Sequence, residues 1–428
     1  MKFIWLTFAI SILILGVLNS LIGATSSLGI IFVLLHITIT SVILMSYKSK
    51  LKVIFLSAFI ARVVVMFWDL LARTIFILPN SGADSEMFYD ASLAISNDLS
   101  LVGNTRGGVF SDIMGILFRF IGDQRVVGQY VNVLFGISII FIIYKILVLL
   151  EINKKTEYLV LITASFFPNS IIMSAIFLRE IIPTFLVALS LLEFIKWFKI
   201  GKLSNAASSI FFLGVASMFH SGVIGIIVGY FYGFLFFDRK HNKLNFSIKT
   251  VGAFIIILLV ISVSFNYLDG LILRKFRAVE DIADIYSTAN KRLGGSAYLT
   301  GLTINNPIQL VAFGPIKSFF FLTAPLPMNW RGFLDAFTFI TDSMLYLITI
   351  IYYIKNKNKF GAKRSLAITL LWMIIGSSLI FGIGVSNAGT AIRHRQKLIP
   401  LFLIVLAITK NKRHLKYINV IKEGGLYD

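Results

Sequence analysis

The chain has 428 residues, of which 57% are hydrophobic and 14% are charged, and it contains no cysteine. Soluble globular proteins carry roughly a quarter charged residues, so the composition excludes an ordinary soluble domain and indicates lipid as the solvent. The formal charge of +20 also fits a membrane protein, because cytoplasmic loops collect Lys and Arg. The absence of cysteine excludes disulfides and thiolate metal sites.

Apolar runs long enough to span a bilayer follow one another from the first residues onward. The first run lacks the small-residue cleavage pattern of a signal peptide, so it is predicted to be a retained helix. Open sheet edges cannot lie in hydrocarbon, and the sequence therefore predicts an all-α integral membrane protein, a single polytopic bundle over residues 1–428 with about 12 helices. The predicted spans are 3–22, 28–46, 53–73, 127–149, 158–178, 181–198, 204–220, 222–237, 248–267, 333–354, 366–386 and 396–409.

Basic clusters in alternate loops predict the orientation of these spans. The densest cluster lies at 355–364, and all the clusters fall on one side if both termini are cytoplasmic. The apolar segment 309–331 is interrupted by Pro315, Pro325 and Pro327. Counting it as a crossing would place the 355–364 cluster outside, so it is predicted to be re-entrant or interfacial on the outer face.

Two large loops are predicted on that outer face, at 79–126 and 268–332. Loops of this length between membrane helices are usually functional or disordered. Apolar residues interleaved with acids in the first loop favour amphipathic helices lying on the membrane. The second loop contributes the candidate substrate-binding residues Arg274, Arg277 and Arg292.

Carboxylates gather directly after the third span, in the stretch 82–90. Asp84 and Glu86 are candidates for a general base on a sugar hydroxyl or for hard oxygen ligands to a divalent metal. Tyr89 is a candidate substrate contact. The alternative is structural, because acids in the first turn of an amphipathic helix are favoured by its dipole.

Two turns between later spans carry ionisable groups on the same predicted face. Arg179 could clamp a phosphate with its planar guanidinium, and Glu180, which follows it, is a candidate substrate contact. The alternative is an arginine paired with its neighbour. His220, at the turn after the seventh span, is a candidate base or proton donor. A structural histidine at a tight turn is the alternative.

The stretch 387–400 packs Arg393, His394, Arg395 and a lysine between two apolar segments. The predicted topology places it outside, against the positive-inside tendency, which favours an anionic partner over a simple stop-transfer signal. Asn387 would let the backbone turn closely against that partner.

Charged residues inside the predicted spans form a separate class. Asp69 and Arg73 lie four residues apart on the third span, so they are predicted to form a structural ion pair. Asp342, in the span 333–354, is predicted to be an unpaired acid facing the cavity.

The runs 178–180, 219–221 and 387–395 resemble the bacterial polytopic polymerases of O-antigen and exopolysaccharide repeat units. The resemblance implies metal-independent transfer of a growing chain from undecaprenyl pyrophosphate onto the next lipid-linked unit, in the cytoplasmic membrane and without a cofactor. It implies a lipid-linked oligosaccharide and membrane lipid as partners; a flippase and a chain-length regulator are further candidates. The residues that would take the catalytic roles are Arg179, His220, Arg393 and Arg395.

Two other functions stay open. The acids of the first loop are similar to those of GT-C glycosyltransferases, in which an early outer-loop acid is the base and a divalent metal often takes part. Here they follow the third predicted span rather than the first.

A flippase or transporter would need paired discontinuous helices, and the prolines do not repeat at matched positions. Nucleic-acid binding is excluded, because no basic domain stands apart from the predicted cytoplasmic loops.

Overall fold

The computed structural model describes residues 1–23, 26–245 and 294–411, together with residues 247, 252, 287 and 290. The predicted span 248–267 lies outside the described residues, apart from residue 252. The candidate substrate-binding residues Arg274, Arg277 and Arg292 also lie outside them. Their predicted roles therefore stay predictions.

The chain divides into two compact units, which are described separately. The first unit comprises Met1–Ile142 and Leu161–Phe185, and the second comprises Ile143–Val160 and Leu186–Asp428. The described part of the chain is mostly helical. The helices up to residue 236 are α1 (Lys2–Ile22), α2 (Ser26–Met45), α3 (Ser49–Leu71), α4 (Ala83–Asn97), α5 (Gly108–Ile121), α6 (Arg125–Leu149), α7 (Lys154–Phe166), α8 (Pro168–Met173), α9 (Ile181–Ile200), α10 (Leu203–Phe219) and α11 (Ile227–Phe236).

A short antiparallel hairpin, β1 (Phe237–Asp238) and β2 (Lys243–Leu244), follows α11. The later helices are α12 (Pro307–Thr323), α13 (Phe333–Thr338), α14 (Met344–Asn356), α15 (Arg364–Gly384), α16 (Ala388–Arg395) and α17 (Ile399–Lys410). A π-helical segment, Phe339–Ser343, joins α13 to α14, and short 3₁₀ turns lie at Leu99–Leu101, Ser221–Ile226, Pro327–Asn329, Gly361–Lys363 and Gln396–Leu398.

Seven helices within the described ranges are long and apolar enough to cross a membrane, which indicates an integral membrane protein of the predicted all-α class. The count of twelve spans and the orientation of the termini stay predictions. The seven candidate spans are Lys2–Ile22, Ser27–Met45, Lys50–Leu71, Arg125–Leu149, Ile181–Ile200, Phe333–Asn356 and Gly361–Gly384.

Two of the predicted apolar runs differ from the observed helices. The run 158–178 is broken, because α7 ends at Phe166 and α8 begins at Pro168. Proline has no N–H for the helix ladder and disfavours α conformation at the residue before it. The segment 309–331, predicted to be re-entrant or interfacial, forms α12 as far as Thr323 and leaves the helix before Pro325.

The break after α7 is stabilised by a buried arginine from α3. The side chain of Arg62 is 1% exposed, and its guanidinium donates from Nη1 to the carbonyl of Ser165 at 2.9 Å and from Nη2 to that of Ala164 at 3.5 Å. Carbonyls in the last turn of a helix have no partner within the helix. Arg62 therefore caps α7 where the proline has ended it.

In the second unit, the 3₁₀ turn Ser221–Ile226 crosses α15 at backbone contact. A Cβ atom added to Gly225 would lie 2.5 Å from the carbonyl oxygen of Gly376, and one added to Gly376 would lie 2.3 Å from the carbonyl oxygen of Gly225. Small residues allow helices to approach this closely without overlap. The crossing fixes the turn that carries His220.

Candidate functional site

The candidate residues of the first unit lie around a carboxylate cluster where α3 ends and α4 and α6 begin. Glu86 Oε1 accepts from Arg73 Nη1 at 2.5 Å and from Arg125 Nη2 at 2.6 Å, and Oε2 accepts from Arg125 Nη1 at 2.6 Å. Two parallel N–H···O bonds to one carboxylate are the strongest geometry for an arginine pair. Glu86 is therefore held by two guanidiniums.

The second carboxylate of this cluster is Asp69, which is 1% exposed. Arg73 Nε donates to its Oδ1 at 3.3 Å, which confirms the predicted ion pair. Ser81 Oγ donates to the same oxygen at 2.6 Å, and Gln129 Nε2 donates to Oδ2 at 2.6 Å. Hydrogen bonds from neutral donors thus accompany the charge pair.

The two guanidiniums determine the charge state of Glu86. The hydrogen bond from Arg125, aided by that from Arg73, lowers the pKa of this carboxyl to about 2 against the opposing effect of burial. A carboxylate this acidic and this fully paired is a poor general base near neutral pH. Asp84 lies in the same first turn of α4 and is half-buried.

Tyr89 lies one turn further along α4. Its hydroxyl donates to Asp123 Oδ1 at 2.5 Å, and the Arg125 guanidinium carbon lies 4.7 Å from the centre of its ring. Burial, together with the hydrogen bond to Asp123, raises the pKa of the Tyr89 hydroxyl. Tyr89 thus stays protonated and links α4 to the start of α6.

The turn that carries Arg179 is held by two amide side chains of α6. Gln129 Nε2 donates to the carbonyl of Ala175 at 3.2 Å. Asn132 Nδ2 donates to the carbonyls of Ile176 and Leu178 at 2.8 and 2.9 Å. These bonds satisfy the carbonyls that the chain exposes between α8 and α9. They fix the backbone immediately before Arg179.

Arg179 itself is largely buried at this turn, with 21% of its side chain exposed. Its guanidinium carbon lies 5.2 Å from the centre of the Phe88 ring, and its Nε lies 4.0 Å from Glu180 Oε1. Glu180 is fully buried. Arg179 is thus oriented by an aromatic face and by its acidic neighbour.

The candidate residues of the second unit meet around α16. Asn387 is the N-cap of this helix, because its Oδ1 accepts from the backbone N–H of Thr390 at 2.7 Å. The backbone N–H of Ala388 donates to the carbonyl of Ser296 at 2.9 Å, and that of Tyr298 donates to Ser386 at 2.9 Å. The start of α16 is thus fixed both by its cap and by pairing with residues 296–298.

His220 and His394, both in this unit, are in contact although 174 residues separate them. His220 Nε2 lies 3.3 Å from His394 Nε2, and the ring centres are 4.2 Å apart. The Phe381 ring packs beside both, with centres 5.2 Å from His220 and 5.8 Å from His394. His220 is half-buried, whereas His394 is buried. A pair of imidazoles is thus held against an aromatic wall.

Lys397 lies behind this pair. Its side chain is fully buried, with Nζ 3.2 Å from His394 Nδ1 and 5.9 Å from the centre of the Phe381 ring. On α12, Lys317 is buried as well, and its backbone lies against Gly382, next to Phe381. Two buried lysines therefore lie in the helices that surround the histidines.

Arg395 has a different environment from its neighbours. It is fully buried and forms an ion pair with Asp342 through Nε and Nη2. Nη1 donates to the carbonyls of Leu322 and Ala324 at 3.0 and 2.7 Å, and Nη2 donates to Ser343 Oγ at 3.0 Å. The prediction that Asp342 is an unpaired acid is wrong. The guanidinium of Arg395 is occupied by groups of the protein itself.

Arg393, by contrast, is only half-buried. Burial lowers the pKa of its guanidinium from the usual value. It lies on α16 one residue before His394 and two residues before Arg395, so the ion pair of Arg395 with Asp342 also positions Arg393.

The structure thus brings the predicted residues together in two sets. The first unit holds Asp84, Glu86, Tyr89, Arg179 and Glu180, and the second holds His220, Asn387, Arg393, His394 and Arg395. A single site that joins both sets remains a prediction.

Sequence reasoning gave no site role to Arg125 or Lys317, and it included Lys397 only as a member of the basic stretch 387–400. An ionisable residue within an apolar run is a signal of function, and this signal was present for both lysines. Nothing in the local sequence links Arg125 to Glu86, which lies 39 residues earlier.

Comparison of the chain with protein-family models, with curated proteins and with solved structures gives no match.

Proposed function

We propose that this chain is a glycosyltransferase of the polysaccharide-polymerase type. It would join undecaprenyl-pyrophosphate-linked oligosaccharide repeat units into O-antigen, capsule or exopolysaccharide at the outer face of the bacterial cytoplasmic membrane. The observation that supports this most is the contact of His220 with His394 at 3.3 Å, beside the cationic residue Arg393, in a helical membrane protein. Titratable imidazoles beside cations are the groups that acid–base chemistry on an anionic substrate requires.

The proposed reaction uses these groups in separate roles. An imidazole of the histidine pair takes the proton of an acceptor hydroxyl, since histidine titrates near neutral pH. The oxygen attacks the anomeric carbon of the donor, a new C–O bond forms, and the bond from that carbon to the pyrophosphate oxygen breaks. The Arg393 guanidinium offsets the charge on the departing pyrophosphate, an effect worth several kcal/mol in a water-excluded site.

Two residues that were predicted to be catalytic have other roles in this proposal. Arg395 is a positioning residue, because its donors hold α16 against Asp342 and against the end of α12. Glu86 is left out of the reaction, because its carboxylate is held by two arginines. Arg179 stays a candidate for binding a phosphate of the lipid-linked substrate.

The topology and the partners belong to the same proposal. Both termini lie in the cytoplasm, and the substrate reaches the site from the membrane. A flippase would supply the lipid-linked units, and a chain-length regulator would act on the product. No cofactor takes part in this reaction.

A GT-C glycosyltransferase that uses a lipid-phosphate sugar is the second candidate. It is favoured by the half-buried carboxylate of Asp84 in the first turn of α4, which would act as the base, with or without a divalent metal. It predicts Asp84→Asn as the most damaging change. The polymerase predicts His220→Gln and Arg393→Gln instead.

The test is the length ladder of the surface polysaccharide in a deletion strain complemented with variants. The wild-type gene should restore the ladder, whereas His220→Gln and Arg393→Gln should leave one repeat unit on the lipid. His241→Gln and Arg364→Gln are matched controls, because both residues are exposed elsewhere in the second unit, and both should restore the ladder. A full ladder with His220→Gln and Arg393→Gln would overturn the proposal, and a unit short of one sugar would support the GT-C alternative.

A further inference from the structure

Three turns rich in Lys and Arg lie at the ends of helices in the second unit. They are the α9–α10 turn (199–202), the β1–β2 hairpin (237–244) and the segment from the end of α14 to the start of α15 (355–364). Three candidate membrane spans begin or end at these turns. Asp238 is the one acid that the turns contain, and its Oδ2 lies 2.6 Å from His241 Nδ1. The cations are Lys199, Lys202, Arg239, Lys240, Lys243, Lys355, Lys357, Lys359, Lys363 and Arg364.

Two hydrogen bonds hold the hairpin against the start of α15. Asn242 Nδ2 donates to the carbonyl of Ala362 at 2.9 Å, and Ser365 Oγ donates to the carbonyl of Asn242 at 3.1 Å. The partners of the first bond are 120 residues apart in the chain. The lysines of the hairpin therefore lie on the same side of the unit as the segment 355–364.

Arg239 joins the hairpin to the α9–α10 turn. Its Nη2 donates to the carbonyl of Trp197 at 2.9 Å, and its guanidinium carbon lies 5.3 Å from the centre of the Trp197 ring. A Cβ atom added to Gly201 would lie 2.3 Å from Arg239 Nη1, and the φ angle of Gly201 is +89°, so glycine is required there. Lys202 follows directly. The three turns thus form one surface, termed the basic surface.

Bringing basic turns together costs electrostatic energy, because like charges repel. Lys199 offsets part of this cost through its ion pair with Glu151, at 2.9 Å. The three bonds that join the turns end at backbone carbonyls, which carry no net charge. Most of the other cations are exposed, and a surface of one sign attracts ions of the opposite sign. The exposed cations are Lys202, Arg239, Lys240, Lys243, Lys355, Lys357, Lys359 and Arg364.

Tryptophan and tyrosine side chains mark the depth of the basic surface in the membrane. Trp197 lies in the last turn of α9, and Tyr352 lies near the end of α14. Trp372 of α15 is exposed, and its ring centre lies 5.5 Å from that of Tyr232. Lys410 Nζ, at the end of α17, lies 4.5 Å from the centre of the Tyr352 ring. Tryptophan and tyrosine are enriched where hydrocarbon meets water, so the basic surface lies at the level of the lipid headgroups.

We propose that the basic surface binds the headgroups of anionic phospholipids in the surrounding bilayer. A phosphatidylglycerol headgroup carries a net negative charge on its phosphate, and lysine and arginine bind phosphate through charge-assisted hydrogen bonds. Lys240 of the hairpin and Lys357 and Lys359 of the segment 355–364 supply cations from two distant parts of the chain. The bound lipid offsets the repulsion between the hairpin and this segment.

This lipid site is separate from the proposed site of glycosyl transfer. The basic surface includes the turn before α10, whereas His220 follows the last residue of that helix. A helix of 17 residues is about 25 Å long, so the basic surface and His220 lie at opposite ends of α10. The inference depends on membrane insertion alone, and it stands if the proposed function fails.

The test measures lipid binding to the full chain by native mass spectrometry in detergent micelles. Phosphatidylglycerol and the zwitterionic lipid phosphatidylcholine are added at equal concentration, and we expect the wild type to retain phosphatidylglycerol in preference. In Lys240→Gln/Lys357→Gln/Lys359→Gln the affinity for phosphatidylglycerol should fall by at least about ten-fold, because each basic residue near a membrane surface contributes about five-fold. All three side chains are exposed, so circular dichroism should show an unchanged fold.

The matched control is Lys48→Gln/Lys50→Gln/Lys52→Gln, which removes the same number of positive charges around the start of α3 in the first unit. These lysines also lie at the end of a candidate membrane span. They therefore test whether any basic turn at a membrane surface would serve. We expect the control to bind phosphatidylglycerol as the wild type does.

Equal losses of affinity in the two triple variants would assign the attraction to net charge and overturn the proposed site. Equal retention of the two lipids by the wild type would overturn it as well. In thermal unfolding, phosphatidylglycerol should raise the wild-type midpoint, whereas inorganic phosphate at the same concentration should not. Equal stabilisation by phosphate would indicate a soluble anion and overturn the assignment to lipid. The measurements on the wild type decide the question even if a variant fails to fold.

Discussion

The guanidinium of Arg395 and the carboxylate of Asp342, 53 residues apart in the chain, form a fully buried ion pair. The same guanidinium donates to the carbonyls of Leu322 and Ala324, at the end of α12. Arg395 therefore joins the π-helical segment, the end of α12 and α16. The neighbouring Arg393 and His394 are held in place by this connection.

Asp342→Asn should destabilise the protein strongly. Removing one partner of a buried ion pair leaves an uncompensated charge and typically costs about 3–5 kcal/mol. The measurement is the free energy of unfolding in detergent micelles, from chemical denaturation followed by circular dichroism. The matched control is Asp335→Asn, which breaks the pair with the largely exposed Arg331 and should cost less than about 1 kcal/mol. Equal losses in the two variants would contradict the structural role of Arg395.

Arg62→Lys should also destabilise, although it keeps the charge. A lysine cannot reproduce the guanidinium that reaches the carbonyls of Ala164 and Ser165, and a buried carbonyl left unpaired costs about 1–3 kcal/mol. Arg119→Lys is the control, because Arg119 donates to the carbonyl of Ser96 at an exposed position. Its expected change is within about 0.5 kcal/mol. A thermal shift of similar size in both variants would argue against a capping role for Arg62.

The stability of the first unit should fall in acid because of Glu86. Its pKa is lowered in the folded state from 4.5 to about 2, so folding is favoured by the ionised form. The contribution is complete above a pH of about 4.5 and is lost as the pH falls towards 2. Glu86→Gln should remove this part of the pH dependence, as measured by the thermal midpoint between neutral pH and acid. Parallel profiles for the wild type and the variant would refute the prediction.

Gly225→Ala should destabilise the second unit, because its Cβ would lie 2.5 Å from the carbonyl oxygen of Gly376. Overpacking of this kind costs about 1–3 kcal/mol. Gly214→Ala is the control, since a Cβ there meets no heavy atom within 4 Å. Alanine in a helix interior is favoured over glycine by about 1 kcal/mol, so this variant should be neutral or more stable. The two variants are compared by thermal denaturation. A loss of stability in Gly214→Ala but not in Gly225→Ala would contradict the prediction.

Part of the candidate site was accessible from the sequence, and part was not. Spacing along a helix predicted the pair of Asp69 with Arg73, because residues four apart lie on one helical face. The same reasoning treated Asp342 as unpaired, since its partner is distant in sequence. It also proposed Glu86 as a base, because nothing nearby in the chain indicated that Arg73 and Arg125 would both bind it.

The sequence by itself determined that this is a helical membrane protein, since the length of apolar runs and the scarcity of charge follow from the thickness and polarity of the solvent alone. It also indicated which ionisable residues lie within or next to apolar segments, where a charged group needs a partner or a function. Only the tertiary structure decided their partners: His394 with His220 and with Lys397, and Arg395 with Asp342. Contacts between distant segments depend on how helices pack and where they break, and the periodicity of one helix carries no information about the position of another.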